Sequence, residues 1–125
     1  RSVIKYLDPD EYVIENVVGC DDLQDPARIN GHGVGYEFGL KRLFETSFDC
    51  PNATENGDSS LNMKNGVGGS YVSVAEAKNV PHTWGQTAVR SAIPKRYTQH
   101  ILHHCPSISG IDPVPYQAKQ QQLPV

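Results

Sequence analysis

The sequence predicts an α+β fold in which a small antiparallel sheet packs against two or three helices, with long loops between these elements. The Asn65-Gly66 dipeptide is typical of a tight hairpin turn, and the segments on either side of it could pair as antiparallel strands. Residues 36–48 and 94–105 instead repeat apolar side chains at helical spacing. An all-β sandwich is the alternative fold.

The chain has the size of one domain. It contains 125 residues, of which 38% are hydrophobic, enough to build a core without a metal or a dense set of disulfides. We expect residues 1–110 to form a single globular domain. Residues 111–125 contain three prolines and four glutamines without a periodic pattern, so we expect an extended C-terminal tail.

The first element has conflicting signals. Asp8 followed by Pro9 is typical of a helix start, because the carboxylate can cap the first turn and proline fits the first helical position. Residues 12–18, YVIENVV, are instead rich in β-branched side chains, which favour a strand. Both structures remain open, with the helix slightly favoured because Gly19 could end it.

Residues 36–48 are predicted to form a helix. Tyr36, Leu40 and Phe44 fall near one face at helical spacing, while Arg42 falls elsewhere. We expect the aromatic side chains on that face to belong to the core.

The next segments are a loop and a hairpin. Residues 51–70 collect Pro, Asn, Gly, Asp and Ser and are expected to form a long exposed connection. The strand that follows the hairpin turn would place Tyr71, Ser73 and Ala75 on one face.

A second helix is expected between Pro94 and Pro106, since proline can open a helix and cannot continue one. On this helix the residues Tyr97, Ile101 and Cys105 form one apolar stripe, which should face the core. His103 should face solvent.

The same helix carries the densest chemistry of the chain. His100 and His104 are four residues apart, the spacing that lets two imidazoles reach one zinc ion. The metalloprotease motif needs Glu directly after the first histidine, and Ile101 stands there. We therefore predict no metal, with His100 and His104 as the minor alternative. No cofactor is expected either, because the glycine-rich residues 31–39 have Tyr36 where a dinucleotide loop needs its third glycine.

Charge and hydropathy exclude some partners. With 11 basic and 14 acidic side chains the net charge is -3, which disfavours nucleic acid as a partner. The one visible basic cluster is Arg90, Lys95 and Arg96. No apolar run is long enough to cross a bilayer, so we expect no membrane span.

Three observations indicate a secreted protein. Asn52-Ala53-Thr54 matches the acceptor pattern for N-glycosylation, the composition is rich in loop residues, and the chain does not start with Met. In an oxidising compartment three cysteines would give one disulfide and one free thiol. We predict that Cys20 pairs with Cys50 and that Cys105 stays free.

No motif completes a catalytic pattern. We therefore expect a small secreted interaction module, without catalysis, that binds a protein or glycan partner through exposed loops. The alternative is a metal-free acid/base hydrolase of phosphodiester or glycosidic bonds. Its chemistry would need a base, an acid and a cation for the developing charge. The candidates are Glu76, His82, Arg90 and His100.

Overall fold

The computed structural model describes residues 1–57, 61, 63 and 70–115. The helices are α1 (Ser2–Leu7), α2 (Tyr71–Lys78), α3 (Gln86–Ser91) and α4 (Lys95–His103), and the strands are β1 (Val13–Val17), β2 (Ala27–Ile29) and β3 (Arg42–Thr46). Within these residues, two short 3-10 turns span Gly31–Val34 and His82–Trp84. The α+β prediction is confirmed, and the all-β alternative is wrong.

The strands form one antiparallel sheet in the order β1-β3-β2. Val17, Arg42 and Ile29 lie in one row across it, and so do Glu15, Phe44 and Ala27. Since residues that face each other across antiparallel strands point to the same side, all six of these residues share one face of the sheet.

That face carries the main core. Ile29 and Phe44 pack with Tyr97 and Ile101 of α4, and also with Val114, which is completely buried. Burying a large apolar side chain contributes roughly 1.5–3 kcal/mol, so this contact fixes α4 on β2 and β3. The helix does not cover β1, where Val17 remains 52% exposed.

The other face of the sheet holds an ion pair between a buried carboxylate and a partly exposed arginine. Glu45 is 2% exposed and accepts hydrogen bonds from Arg1, the Gln24 amide and the Tyr12 hydroxyl. The bonds from Arg1 are the main reason that the pKa of Glu45 falls to about 2, against the opposing effect of burial. This carboxylate therefore ties the start of α1 to the sheet.

A second core cluster lies under α2 and α3. Val74 and Ala75 of α2 pack with Val89 of α3 and with Phe38. The two clusters meet at Tyr36, whose ring stacks on Phe38 with the centroids 4.6 Å apart. The domain boundary predicted at residue 110 stays a prediction, although Val114 belongs to the first cluster.

Three predicted elements differ from the structure. The helix predicted at 36–48 is wrong, because this stretch contains β3, whose central residues Leu43, Phe44 and Glu45 are buried on both faces. A strand that is covered on both faces buries consecutive residues, so the period of two is lost. The helix favoured at 12–18 is also wrong, and the strand alternative is correct, since this segment contains β1.

The third difference is α2. The strand predicted from Tyr71 onward is a helix, because Ser70 caps it and Asn79 ends it. Ser70 Oγ accepts from the Val72 amide at 3.2 Å, and Asn79 adopts the left-handed conformation with φ 56°. The Asn65-Gly66 turn lies outside the described residues.

The predictions for α4 are confirmed. Pro94 precedes the helix, and Tyr97, Ile101 and Cys105 are all buried, while His103 is exposed.

Candidate functional site

The predicted hydrolase residues divide between two parts of the fold. Glu76, His82 and Arg90 lie on α2, the second 3-10 turn and α3, which pack together. His100 lies on α4, which packs against the first 3-10 turn. Glu76 and His82 are exposed, whereas His100 is completely buried and offers no surface to a substrate. The hydrolase hypothesis is left with Glu76, His82 and Arg90, and stays a prediction.

The histidines of α4 are held by backbone carbonyl groups. His100 Nε2 donates to the Pro51 oxygen at 2.8 Å and His103 Nδ1 to the Ile111 oxygen at 2.7 Å, because a carbonyl can only accept. The His104 ring lies against both other rings, at 5.1 and 5.0 Å between centroids. Burial, and then the charges of its two neighbours, lower the pKa of His104.

These histidines therefore stabilise the packing of α4. Among the residues that the structure describes, no group of three or more His, Cys, Asp or Glu is arranged to hold a metal ion.

The structure places the three cysteines and the Asn52 acceptor pattern. All three thiols are free in the structure, with Cys20 and Cys50 half-buried and Cys105 buried. Burial raises the pKa of Cys50 to about 11. Asn52 and Thr54 are exposed, and Asn52 Oδ1 accepts from the Arg28 amide at 2.8 Å. The disulfide and the glycan stay predictions.

Three cations line one groove at the end of the sheet where β3 begins. The groove has a volume of about 360 Å³, and the residues Arg28, Lys41 and Arg42 line it. Its other walls come from Val18, Ile29, Asn30, Thr54 and Asn56. We call this feature the cationic groove.

Asn30 connects the walls of the cationic groove. It is 3% exposed, and its Oδ1 accepts from the amides of Gly31 and Leu40 at 3.0 and 2.9 Å. Its Nδ2 donates to the Glu55 oxygen at 3.0 Å. Leu40 precedes Lys41, and Glu55 lies between the two polar residues of the opposite wall, so one buried amide positions both walls.

The outer edge of β2 is already paired beside the groove. The Ala53 amide donates to the Arg28 oxygen at 2.9 Å, and the Asn30 amide donates to the Ala53 oxygen at 2.8 Å. Asn52 Oδ1 accepts from the Arg28 amide. The outer backbone groups of this strand beside the groove are therefore already hydrogen-bonded.

Arg42 is the least exposed of the three cations. Its Nε lies 3.3 Å from Glu15 Oε1 on the neighbouring strand, and its Nη1 donates to the Lys41 oxygen at 3.0 Å. The positive charge of Arg42 also acts on Lys78 and Tyr97, where it works to lower the pKa of each side chain. The Arg42 guanidinium thus contacts one carboxylate and one carbonyl group.

The cationic groove was not predicted from the sequence, which pointed to Arg90, Lys95 and Arg96 instead. Arg96 is used within the fold, because it donates to the Gly35 oxygen and lies 4.8 Å from the Tyr36 ring centroid. The only local signal for the groove was the adjacent pair Lys41-Arg42, since Arg28 joins it through strand register.

Comparison of the chain with models of protein families, with curated proteins and with solved structures finds no match. Within the described part of the chain, no helix has the length and apolar character needed to span a bilayer.

Proposed function

We propose that this chain is a small secreted interaction module, without catalysis, that binds an anionic partner in the cationic groove. The observation that carries the proposal is the convergence of Arg28, Lys41 and Arg42 on one groove in a chain whose net charge is -3. Cations gathered in a cleft attract an anion locally even when the whole molecule is acidic.

The build of the groove supports binding. Its volume of about 360 Å³ falls within the range of about 300–1,000 Å³ found for ligand sites. Asn30 bonds to the backbone of both walls, so the segments that carry the cations keep a fixed geometry before a ligand arrives. The exposed acceptor pattern at Asn52 supports the secreted setting.

The test compares two double variants that remove the same charge. Arg28→Ala with Lys41→Ala removes two cations of the groove. Lys5→Ala with Lys95→Ala removes two exposed cations from α1 and α4. Each protein is applied to an immobilised sulfated polysaccharide and to immobilised polyglutamate and then eluted with salt.

We expect the groove double variant to elute at clearly lower salt than the wild-type protein, and the control double variant to elute close to it. Equal losses for both double variants would show a response to net charge alone and would contradict the proposal. Thermal unfolding of each variant checks that it is folded.

A further inference from the structure

The cationic groove presents side chains, and not a free strand edge, to its partner. A peptide that adds to a sheet gains affinity from main-chain hydrogen bonds. Beside this groove the Arg28 amide and carbonyl groups and the Asn30 amide are bonded to residues 52 and 53. An added strand would have to break these bonds, so an extended peptide is disfavoured there.

The side chains of the groove match a different chemistry. Arg28 and Arg42 offer planar donors that pair with the oxygens of a sulfate or a carboxylate. Thr54 and Asn56 are exposed on the opposite wall, and their hydroxyl and amide groups can exchange hydrogen bonds with sugar hydroxyls. An acidic oligosaccharide carries both kinds of group on one chain.

One of the three cations, Arg42, already forms an ion pair with Glu15. Glu15 lies diagonally across from Arg42 on the same face of the sheet, with 3.3 Å between Arg42 Nε and Glu15 Oε1. The contact joins the guanidinium Nε to one carboxylate oxygen, and the Glu15 side chain is 36% exposed. A single, partly solvated ion pair of this kind is weak, so an incoming anion can replace it.

We propose that the cationic groove binds an acidic oligosaccharide through its sulfate or uronate groups, and that Glu15 is an internal counter-ion which the ligand displaces from Arg42. The inference rests on the proposed function, because it names the partner class of the same groove. Removing the Glu15 charge should therefore strengthen binding, whereas most changes at a binding site weaken it.

The experiment measures the affinity of three fluorescent probes: a heparin hexasaccharide, the same hexasaccharide without its sulfates, and hexaglutamate. Glu15→Gln is compared with Asp10→Asn, which removes one exposed acidic charge before β1 begins. We expect Glu15→Gln to bind the hexasaccharide about three- to fivefold more tightly than the wild-type protein, which is the scale of one partly exposed ion pair. Asp10→Asn should bind like the wild-type protein.

The three probes show which anionic group of the ligand, sulfate or carboxylate, the groove recognises. Loss of binding after desulfation assigns recognition to sulfate, and retained binding assigns it to the uronate carboxylates; both results support the inference. Hexaglutamate should bind at least about tenfold more weakly, because it lacks hydroxyl groups for the opposite wall.

Two results would overturn the inference and leave the proposed function standing. One is that hexaglutamate binds the wild-type protein as tightly as the hexasaccharide does, and that the groove double variant binds hexaglutamate more weakly. The other is equal hexasaccharide affinity for Glu15→Gln and wild type. The proposed function fails separately, if the groove double variant binds every probe as well as the Lys5 and Lys95 control does.

Discussion

Lys78 has a side chain that is 1% exposed and yet ends in an amine. Its Nζ donates to the oxygens of Val89 and Arg90 at 3.0 and 2.8 Å. These carbonyl groups belong to the last turn of α3, where a helix has no internal donors to offer them. The amine therefore ties the end of α3 to α2, but burial, and then the charge of Arg42, lower its pKa to about 8.

This lowered pKa predicts a stability gain at alkaline pH. Between pH 8 and 10.5 the unfolded chain still holds the Lys78 proton while the folded chain has lost it. Protons bound mainly by the unfolded state make the free energy of unfolding rise with pH, so that stability increases across this window. Lys78→Met should lack the increase. Urea unfolding of both proteins at several pH values within the window measures it.

The difference between the two proteins isolates Lys78. Burial raises the pKa of Cys50 and of Tyr97, so these groups ionise first in the unfolded chain and lower stability as the pH rises. Both groups are present in each protein, and their effect cancels in the comparison. Lys95→Met, at an exposed position, should follow the wild-type profile. Parallel profiles for Lys78→Met and wild type would contradict the prediction.

Among the secondary-structure elements, α4 was predictable and β3 was not, for a physical reason. A helix at the core boundary keeps its apolar residues on one face, and Tyr97, Ile101 and Cys105 show that face in the sequence. Strand β3 is paired on both sides and covered on both faces, so its buried residues are consecutive. A continuous apolar run fits a helix and a buried strand equally well.

The site was harder to predict than the fold. Arg28 and Lys41 are thirteen positions apart in the sequence, and each is an ordinary polar residue in its own segment. They meet because β2 pairs with β3 so that Ile29 lies opposite Arg42. Strand register is a property of the folded sheet, and no spacing rule in the sequence encodes this meeting.

Asn30 is the residue on which the connection between these segments depends most. Asn30→Ala removes the acceptor of the buried Gly31 amide and of the partly buried Leu40 amide, and it removes the donor to the Glu55 oxygen. We expect a loss of about 2–3 kcal/mol in the free energy of unfolding, the cost of buried polar groups without hydrogen bonds. Chemical denaturation measures this loss.

The matched control is Asn16→Ala. Asn16 is exposed on the edge strand and its side chain bonds only to the amide of the next residue among the contacts described. Its removal should change the free energy of unfolding by less than about 0.5–1 kcal/mol. Equal stability losses in the two variants would show that Asn30 does not hold the walls together.

At the scale of the whole molecule, the two ends of the sheet differ in charge. The cationic groove lies where β3 begins, and a second groove, lined by Glu11, Asp25 and Asp49, lies where β3 ends. The four residue steps from Arg42 to Thr46 separate these ends by about 14 Å at a rise of about 3.4 Å per residue. Although the net charge is -3, the positive and negative side chains are therefore separated between the two ends of the sheet. This separation orients the cationic end toward an approaching anion.

This separation predicts how salt changes the influence of the acidic end. The Debye length is about 8 Å in 0.15 M salt and about 30 Å in 0.01 M salt. Asp25→Asn with Asp49→Asn should therefore leave the affinity for the heparin hexasaccharide unchanged at about 0.15 M salt and increase it at about 0.01 M, where the repulsion reaches the groove. Glu15→Gln, which acts by direct contact with Arg42, should strengthen binding at both salt concentrations. Weaker binding by the Asp25 and Asp49 variant in 0.15 M salt would contradict this prediction and indicate that the two carboxylates take part in a direct contact that binding needs. Sedimentation at rising protein concentration would show whether that contact is with a second copy of the chain.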